Sequence, residues 1–379
     1  FFFKQKTAYE IVSRDWSSDV CSSDLKVHKI EPIPGSDFIE LAHVLGWQCV
    51  VKKGEFKEGD LGVYICIDTV VPKTPIFEFL SKYNFRVKTQ KLRGVLSQVL
   101  LLPLNSVFTE RVSSLSKEGD DVTLELGVIK YEKPDNNPFL YQKNQIPKKG
   151  WRKYWYKFMF LIVYKLFPNL KPKERHSFPT HLVSITDEER IQNVPEVLER
   201  YKGKTFHLRY KLDGSSITII HEKFLWKSKY RICSRRFELF GKKNNWYETF
   251  RTTGFKRHID SLVDYYNTNN IIVQGECVGK FNGNHHKLNA NQIRVFNVYV
   301  DGKRLLPVEF DIVTDSLNIP ACQFKDYRAL PETIDEILAI SECKGPFNDE
   351  ENEGFVWRCI DDGYSFKAVN NKYLLKKGE

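Results

Sequence analysis

Between Thr205 and Lys367, short β-rich runs keep ending on charged residues, in a fixed order that leaves little choice of architecture. The run Thr205-Phe206-His207-Leu208-Arg209-Tyr210 closes on Lys211-Leu212-Asp213-Gly214. Ser234-Arg235-Arg236 follows, then Ile271-Ile272-Val273-Gln274 leading into Gly275-Glu276, then Glu353-Gly354-Phe355-Val356, and last Ser365-Phe366-Lys367. Around these pieces the pattern predicts strands at Ser216 to His221, Tyr230 to Cys233, Ile271 to Val278 and Arg294 to Val300. Amphipathic helices are predicted from about Tyr247 to Tyr266 and over Pro331 to Ser341, the latter with Thr333 near its start. Thr186-Asp187-Glu188-Glu189 reads as a capping box with Arg190, Gln192 and Asn193 on the helix it would start. The result is an α+β domain over residues 178–379.

A lone Lys-x-Asp-Gly reads equally well as a hairpin turn built on Asp-Gly. Further motifs in order do not. Together they resemble the covalent nucleotidyltransferases, the superfamily of ATP-dependent DNA ligases, RNA ligases and capping enzymes. The catalytic half resembles the RNA ligase 2-like branch. Both halves together, from Lys26 to Lys376, are similar to the Deinococcus/Naegleria type of ATP-dependent RNA ligase, which carries an amino-terminal oligonucleotide-binding (OB) module. The implied fold is an OB-like β-barrel followed by an ATP-grasp-like antiparallel-sheet nucleotidyltransferase domain.

The resemblance implies a role for each motif residue. Lys211 is the AMP-accepting nucleophile. Asp213 and Glu353 organise a catalytic Mg²⁺ or Mn²⁺, and Glu276 contacts the ribose or a water of the metal. Arg235 lies on the ribose and phosphate side, Lys367 holds the α-phosphate, and Arg190 reaches the nucleotide or an RNA phosphate. Tyr210 and Gly214 flank the nucleophile in the ATP site. Phe296 either stacks on adenine or is a core phenylalanine. Three positions depart from the family pattern. Tyr210 stands where glutamate is frequent, Arg236 replaces an asparagine, and Val369 breaks a Lys-x-Lys that Lys372 or another cation would have to complete.

The chemistry explains why these residue types are needed together. A lysine attacks phosphorus only as the neutral amine, although its ordinary pKa is about 10.4. Neighbouring cations such as Lys367 and Arg235, a bound metal and partial desolvation are therefore expected to push Lys211 downward. Charge that builds on the α-phosphate as pyrophosphate leaves calls for cations and a metal around it. Asp213, Glu276 and Glu353 are the carboxylates available to hold the waters of that metal.

Residues 1–25 read as the translation of a sequencing-library adapter, with no cleavable apolar leader. Met159 is the single methionine, so the native start is expected outside this chain, within a first strand that continues into Lys26. The full sequence has 58 basic and 48 acidic residues. Setting aside residues 1–25, with three basic and four acidic residues, leaves a net charge of +11. That excess suits a polyanion, though a mildly basic enzyme carries as much. Eight scattered cysteines without a Cys-x-x-Cys pair argue for reduced thiols in an intracellular, cytoplasmic setting, and against a disulfide framework or a structural zinc.

From Lys26 to about Pro103, short strands and tight turns predict a small barrel of the OB type, within a module spanning 26–132. Arg86 with Lys88, and Lys91 with Arg93, are spaced to share a strand face. They are either a phosphate-gripping surface or the lysines of a solvated edge strand. Residues 133–177 are a Pro- and Lys-rich linker with an aromatic and basic insert, Trp151 to Phe167. It is too short and too charged for a transmembrane segment, which needs about 20 apolar residues. The choices are a membrane-interfacial helix, a helix packed on the catalytic domain, or an RNA-contacting segment.

DNA ligases and capping enzymes usually carry a second OB domain after the fifth motif. Only about a dozen residues follow Lys367, and zinc-finger and helix-hairpin-helix modules are lacking, which favours RNA ligase. The expected protein is a monomeric ATP-dependent RNA ligase that seals nicked duplex or broken RNA ends. Rival readings are a DNA ligase, a capping guanylyltransferase, or a catalytically silent RNA-binding protein of the same fold.

Overall fold

In the computed structural model, the residues described are 22–108, 117–131, 155, 158, 159, 162, 165, 166, 175–224, 227–239, 244–280 and 284–377. The amino-terminal module is built from short strands. Leu61–Ile65 is flanked by Ser22–Lys26 and Leu100–Pro103, and Lys29–Pro32, Ile39–Val44 and Trp47–Lys52 form a second three-stranded sheet. Alternate residues of these strands point inward. They fill one core with Val44, Trp47, Cys49 and Tyr64, and another in which Val63 and Ile65 meet Phe77 and Leu80 of the helical segment Pro75–Tyr83.

The first strand begins at Ser22, four residues before the expected module boundary, in antiparallel register with Leu61–Ile65. Ladder pairing uses only backbone groups, so Ser-Ser-Asp-Leu completes the sheet regardless of its origin. Asp24 is fully buried there, a costly residue for an inward strand position.

Two sheets make the catalytic domain. The seven-stranded one runs in the order Arg175–Ser177, Phe237–Leu239, Lys227–Cys233, Ser215–Phe224, Asn270–Val278, Gln292–Val300, Lys303–Arg304, with every described pair antiparallel. The five-stranded one runs Glu189–Arg190, Ser365–Val369, Gly354–Cys359, Thr205–Tyr210, Phe324–Ala329, and only its first pair is parallel. Helices Asn245–Thr252, Lys256–Tyr266 and Pro307–Ser316 cover the larger sheet through Phe250, Ile259, Leu262, Phe310 and Val313. Ile334–Ser341 covers the smaller one through Ile337 and Leu338.

Two helix expectations change. The helix expected over Tyr247 to Tyr266 is two, broken at Thr253-Gly254, where Gly254 takes φ +63°. A residue in that conformation ends a helical hydrogen-bond series. The capping box expected at Thr186 starts no helix. Glu189–Arg190 adds instead to the five-stranded sheet, and Ile191–Asn193 is a single tight turn. Competition from the open edge of Ser365–Val369 outweighs the local helix signal. By contrast Thr333 does cap its helix, accepting from Glu336 N while Glu336 reaches back to Thr333 N.

Candidate active site

The chain crosses from one sheet to the other at Lys211-Leu212-Asp213-Gly214, directly after strand Thr205–Tyr210 and before Ser215–Phe224. This crossing forms the floor of a cleft of about 760 Å³ that both sheets and the amino-terminal module line. Strand alternation decides what faces it. Phe206 and Leu208 are buried in the core while His207, Arg209 and Lys211 line the cleft. Phe355 and Trp357 are buried while Val356 and Arg358 line it. Leu212 anchors the floor against Val278 and Cys322. Gly214 sits where a Cβ would lie 2.3 Å from the Cys277 carbonyl oxygen, so the crossing cannot accept a larger residue without moving.

Lys211 Nζ donates to Glu353 Oε1, and its backbone N–H is 2.9 Å from the Gly354 carbonyl oxygen. Burial is the largest influence on this amine and pushes its pKa down. Glu353, then Glu276 and Asp213, outweigh it, and the net shift is upward. Among the protein's own groups, then, the carboxylates outweigh burial, and the expected downward push on Lys211 is not found without the metal. Glu276 shows the counterpart. Burial, with Glu353 and Asp213 adding to it against Lys211, lifts its carboxyl to about 8.

A second cluster stands beside the first. Arg190 and Lys367 are opposite each other on parallel neighbouring strands. Asp187 accepts from Lys367 Nζ at 2.9 Å and pairs through its other oxygen with Arg235. Burial pushes the Asp187 carboxyl up, but Lys367 and Arg235 hold it well below the usual carboxylate range. Burial pushes Lys367 down, against Asp187 and with help from Arg190 and Lys211. Burial also lowers Arg190, whose NH1 is buried without a hydrogen-bond partner.

The remaining candidates divide. Tyr210 lines the cleft and packs on Phe355 with ring centroids 4.9 Å apart. Phe296 also lines it, half-buried against Leu212 and Cys322. Asp213 is drawn toward the carboxyl-terminal helix Asn371–Lys377, accepting from Tyr373 OH and, at 2.9 Å, from Lys377 Nζ. Burial pushes its carboxyl up and these donors bring it down overall.

The four basic residues of the module do not form two strand pairs. Arg86 pairs with Asp68 at 2.6 Å and lies over the Tyr131 ring. Lys88 is half-buried. Lys91 is on strand Gln90–Leu92, but Arg93 is in the turn that follows, at φ +49°. A two-residue hairpin turn displaces Arg93 from the face of Lys91.

Several cleft residues had no motif of their own. Asp187 lay inside the misassigned capping stretch. Arg358 was legible only as the next alternate position after Val356. Its burial holds the guanidinium down at about 10, with NH1 3.1 Å from the Phe296 carbonyl oxygen and Nε without a partner. Trp47 gave no polar signal, yet its Nε1 donates to Asn193 Oδ1 at 2.7 Å. The next residue toward the amino terminus, Gly46, donates its N–H to the Gln192 carbonyl at 2.9 Å.

The site fits a divalent cation. Glu353 Oε2 is buried without a hydrogen-bond partner, and a carboxyl raised to about 8 marks a place short of positive charge. Among the described residues no three Asp, Glu, His or Cys groups converge closely enough to chelate an ion directly. These carboxylates would therefore hold it through its waters, as a strongly hydrated Mg²⁺ prefers.

A half-buried lysine at a sheet crossing, ringed by carboxylates and backed by phosphate-ready cations, defines a covalent nucleotidyltransferase. Family comparisons agree: an OB-fold domain matches residues 22–104 and an RNA ligase family matches residues 204–369. Among solved structures, Naegleria gruberi RNA ligase with pyrophosphate is 30% identical at a TM-score of 0.74, covering 94% of this chain and 98% of that one. A lysine-to-alanine mutant of that enzyme with ATP and manganese gives 30% identity, 0.75, 95% and 100%. A glutamate-to-alanine mutant with AMP and manganese gives 30%, 0.76, 95% and 100%. No curated protein matches by sequence. The chain belongs to the RNA ligase family.

Proposed function

We infer that this protein is an ATP-dependent RNA ligase that joins a 3′-hydroxyl to a 5′-phosphate through lysyl-AMP and RNA-adenylate intermediates. The observation that carries the reading is Lys211 on the cleft floor, held by Glu353 and flanked by Glu276. In the first step the Lys211 amine forms a bond to the α-phosphorus of ATP, the bond to the β-phosphate oxygen breaks, and pyrophosphate leaves. The amine must first give up a proton and its pairing with Glu353. Asp213, Glu276 and Glu353 would hold a Mg²⁺ or Mn²⁺ through its waters, and its positive charge would offset that on the α-phosphate. Lys367, Arg235 and Arg190 bind phosphate oxygens, with Asp187 keeping the first two aligned until they arrive. Phe296 stacks on adenine, and Tyr210, Arg358 and Gly214 bound the nucleotide.

In the second step an oxygen of the RNA 5′-phosphate takes AMP and the Lys211 nitrogen leaves, regaining a proton. In the third the 3′-hydroxyl attacks that phosphate and AMP leaves. RNA, as nicked duplex or broken ends, runs from the cleft over the hairpin bearing Lys91 and Arg93, with Lys88 beside it, while Arg86 braces the module through Asp68. We place the enzyme, as a monomer, in a reducing compartment because six of the seven described cysteines are buried free thiols. No described helix is long and apolar enough to cross a membrane.

The test is incubation with α-labelled ATP or GTP plus Mn²⁺, comparing the chain with Lys211→Ala. Covalent label from ATP, absent in the variant, is expected. Label from GTP alone, or label retained by the variant, would overturn the reading.

A further inference from the structure

The aromatic and basic insert Trp151 to Phe167 lies largely outside the described residues, whereas the carboxyl-terminal helix Asn371–Lys377 is described throughout. That helix belongs to neither sheet, yet it lines the cleft with Tyr373 and Leu374. Its first turn is fixed by Asn370, which is fully buried. Asn370 Oδ1 accepts from Lys372 N at 2.8 Å, as a helix-capping side chain does. Its Nδ2 donates to the Asn352 carbonyl at 2.9 Å, and its backbone N–H donates to the Glu353 carbonyl at 2.9 Å. The helix is thus keyed to the residue that pairs with Lys211.

Three donors converge on one oxygen of Asp213. Tyr373 OH, Lys377 Nζ at 2.9 Å and His285 Nε2 at 3.4 Å all reach Oδ2, and none of these contacts uses Oδ1. The three differ in stiffness. Lys377 is the last residue of the helix and also meets His285 Nδ1 at 2.7 Å. Its four-carbon stem gives up much rotamer freedom in any fixed geometry. Tyr373 has two side-chain torsions, is buried beside Leu374, and stands one turn from the Asn370 cap. A hydroxyl placed in that way gives the carboxylate a single direction.

A ring of contacts then closes. Lys211 N–H donates to the Gly354 carbonyl, Asn370 N–H donates to the Glu353 carbonyl, and Tyr373 OH donates to Asp213, two residues beyond Lys211. Lys211, Asp213 and Glu353 are set against one another through this helix.

We propose that Tyr373 is a positioning residue whose hydroxyl fixes the Asp213 carboxylate by one oxygen and leaves the other for the waters of a divalent cation. Asp213 has that task under the ligase reading, on which the proposal rests. Tyr373 acts through Asp213 and touches neither ATP nor RNA.

The test is a double-mutant cycle on the full chain of Tyr373→Phe, which keeps the ring and its packing, with Asp213→Asn. Two quantities are measured: Mn²⁺ affinity without nucleotide, from the electron paramagnetic resonance signal of free Mn²⁺, and the single-turnover rate of lysyl-AMP formation. Tyr373→Phe should weaken Mn²⁺ binding several-fold and slow adenylylation about tenfold, the loss of one hydrogen bond to a charged group. In the Asp213→Asn background the same substitution should change Mn²⁺ binding by less than about twofold. Equal affinity and rate in Tyr373→Phe and wild type overturn the proposal. So does an equal loss of affinity in both backgrounds, which marks a residue that only supports the fold. A wild type that takes no label from ATP overturns the ligase reading and the proposal together, whereas a labelled wild type matched by Tyr373→Phe overturns the positioning role alone.

Discussion

Lys211 and Glu276 are tuned in opposition to the chemistry they perform, and both can be read out individually. The Glu276 carboxyl is raised to about 8 by burial and by its carboxylate neighbours. An acid raised in the folded state binds a proton there that the unfolded chain has already released. Stability is therefore lost as pH rises from the unfolded value near 4.5 to about 8, by an amount on the order of a few kcal/mol. Glu276→Gln removes that cost. Thermal unfolding should give the variant the same midpoint as wild type near pH 4.5 and a midpoint several degrees higher at pH 9, even as adenylylation falls. Glu353 acts on the lysine itself, and its carboxylate helps raise the Lys211 pKa against burial. In Glu353→Gln the amine should be several-fold more reactive at pH 9 toward an amine-acylating reagent without ATP, measured by mass spectrometry of the Lys211 peptide. Unchanged reactivity would show that Glu353 does not control this proton.

At the scale of elements, one tight constraint is the hairpin between Ile39–Val44 and Trp47–Lys52. A Cβ on Gly46 would lie 2.5 Å from Ile334 Cδ1 and 2.7 Å from Gln192 Cα, and one of those contacts is backbone. Gly46→Ala should therefore destabilise the protein by about 1–3 kcal/mol, visible as a lower midpoint in urea. The elements also show what the sequence could tell. The strands leading to Lys211 and Glu276 were legible because alternation and β-branched residues agree with the sheets they join. Glu189–Arg190 was not, because its helix-like capping letters lose to a distant sheet edge. Gly254 was passed over because an amphipathic repeat continues across it on both sides. Arg86 and Arg93 were misplaced for another reason: spacing predicts a face only where a strand exists, and at both positions it does not.

For the whole molecule, the joint between module and catalytic domain is narrow and polar. Trp47 Nε1 reaches Asn193, Gly46 reaches Gln192, and Gln98 Nε2 is 3.0 Å from Asn371 Oδ1. Asn193 follows Arg190 by three residues, so the joint borders the phosphate-binding strand, where the Arg190 guanidinium lies 5.7 Å from the Trp47 ring. A double-mutant cycle of Trp47→Phe with Asn193→Leu should return a coupling of about 1 kcal/mol in unfolding, and additive effects would mean that the bond adds nothing. None of this was readable beforehand, since a tryptophan in a strand announces a core position and its partner lies 146 residues away. The class of enzyme was readable and the assembly was not.

The same joint sets what evolution can vary. Gly46 and Trp47 of the hairpin meet Gln192 and Asn193, and Gln98 meets Asn371, so contacts distant in sequence hold the two modules together. The cost of closing a longer loop grows only with the logarithm of its length. Among the described residues, no cleft-lining or joint residue lies in 133–174, so segments gained or lost there leave these contacts in place, whereas a side chain at Gly46 would meet the backbone of Gln192. A lineage of such ligases would diverge in that stretch while the joint stayed fixed.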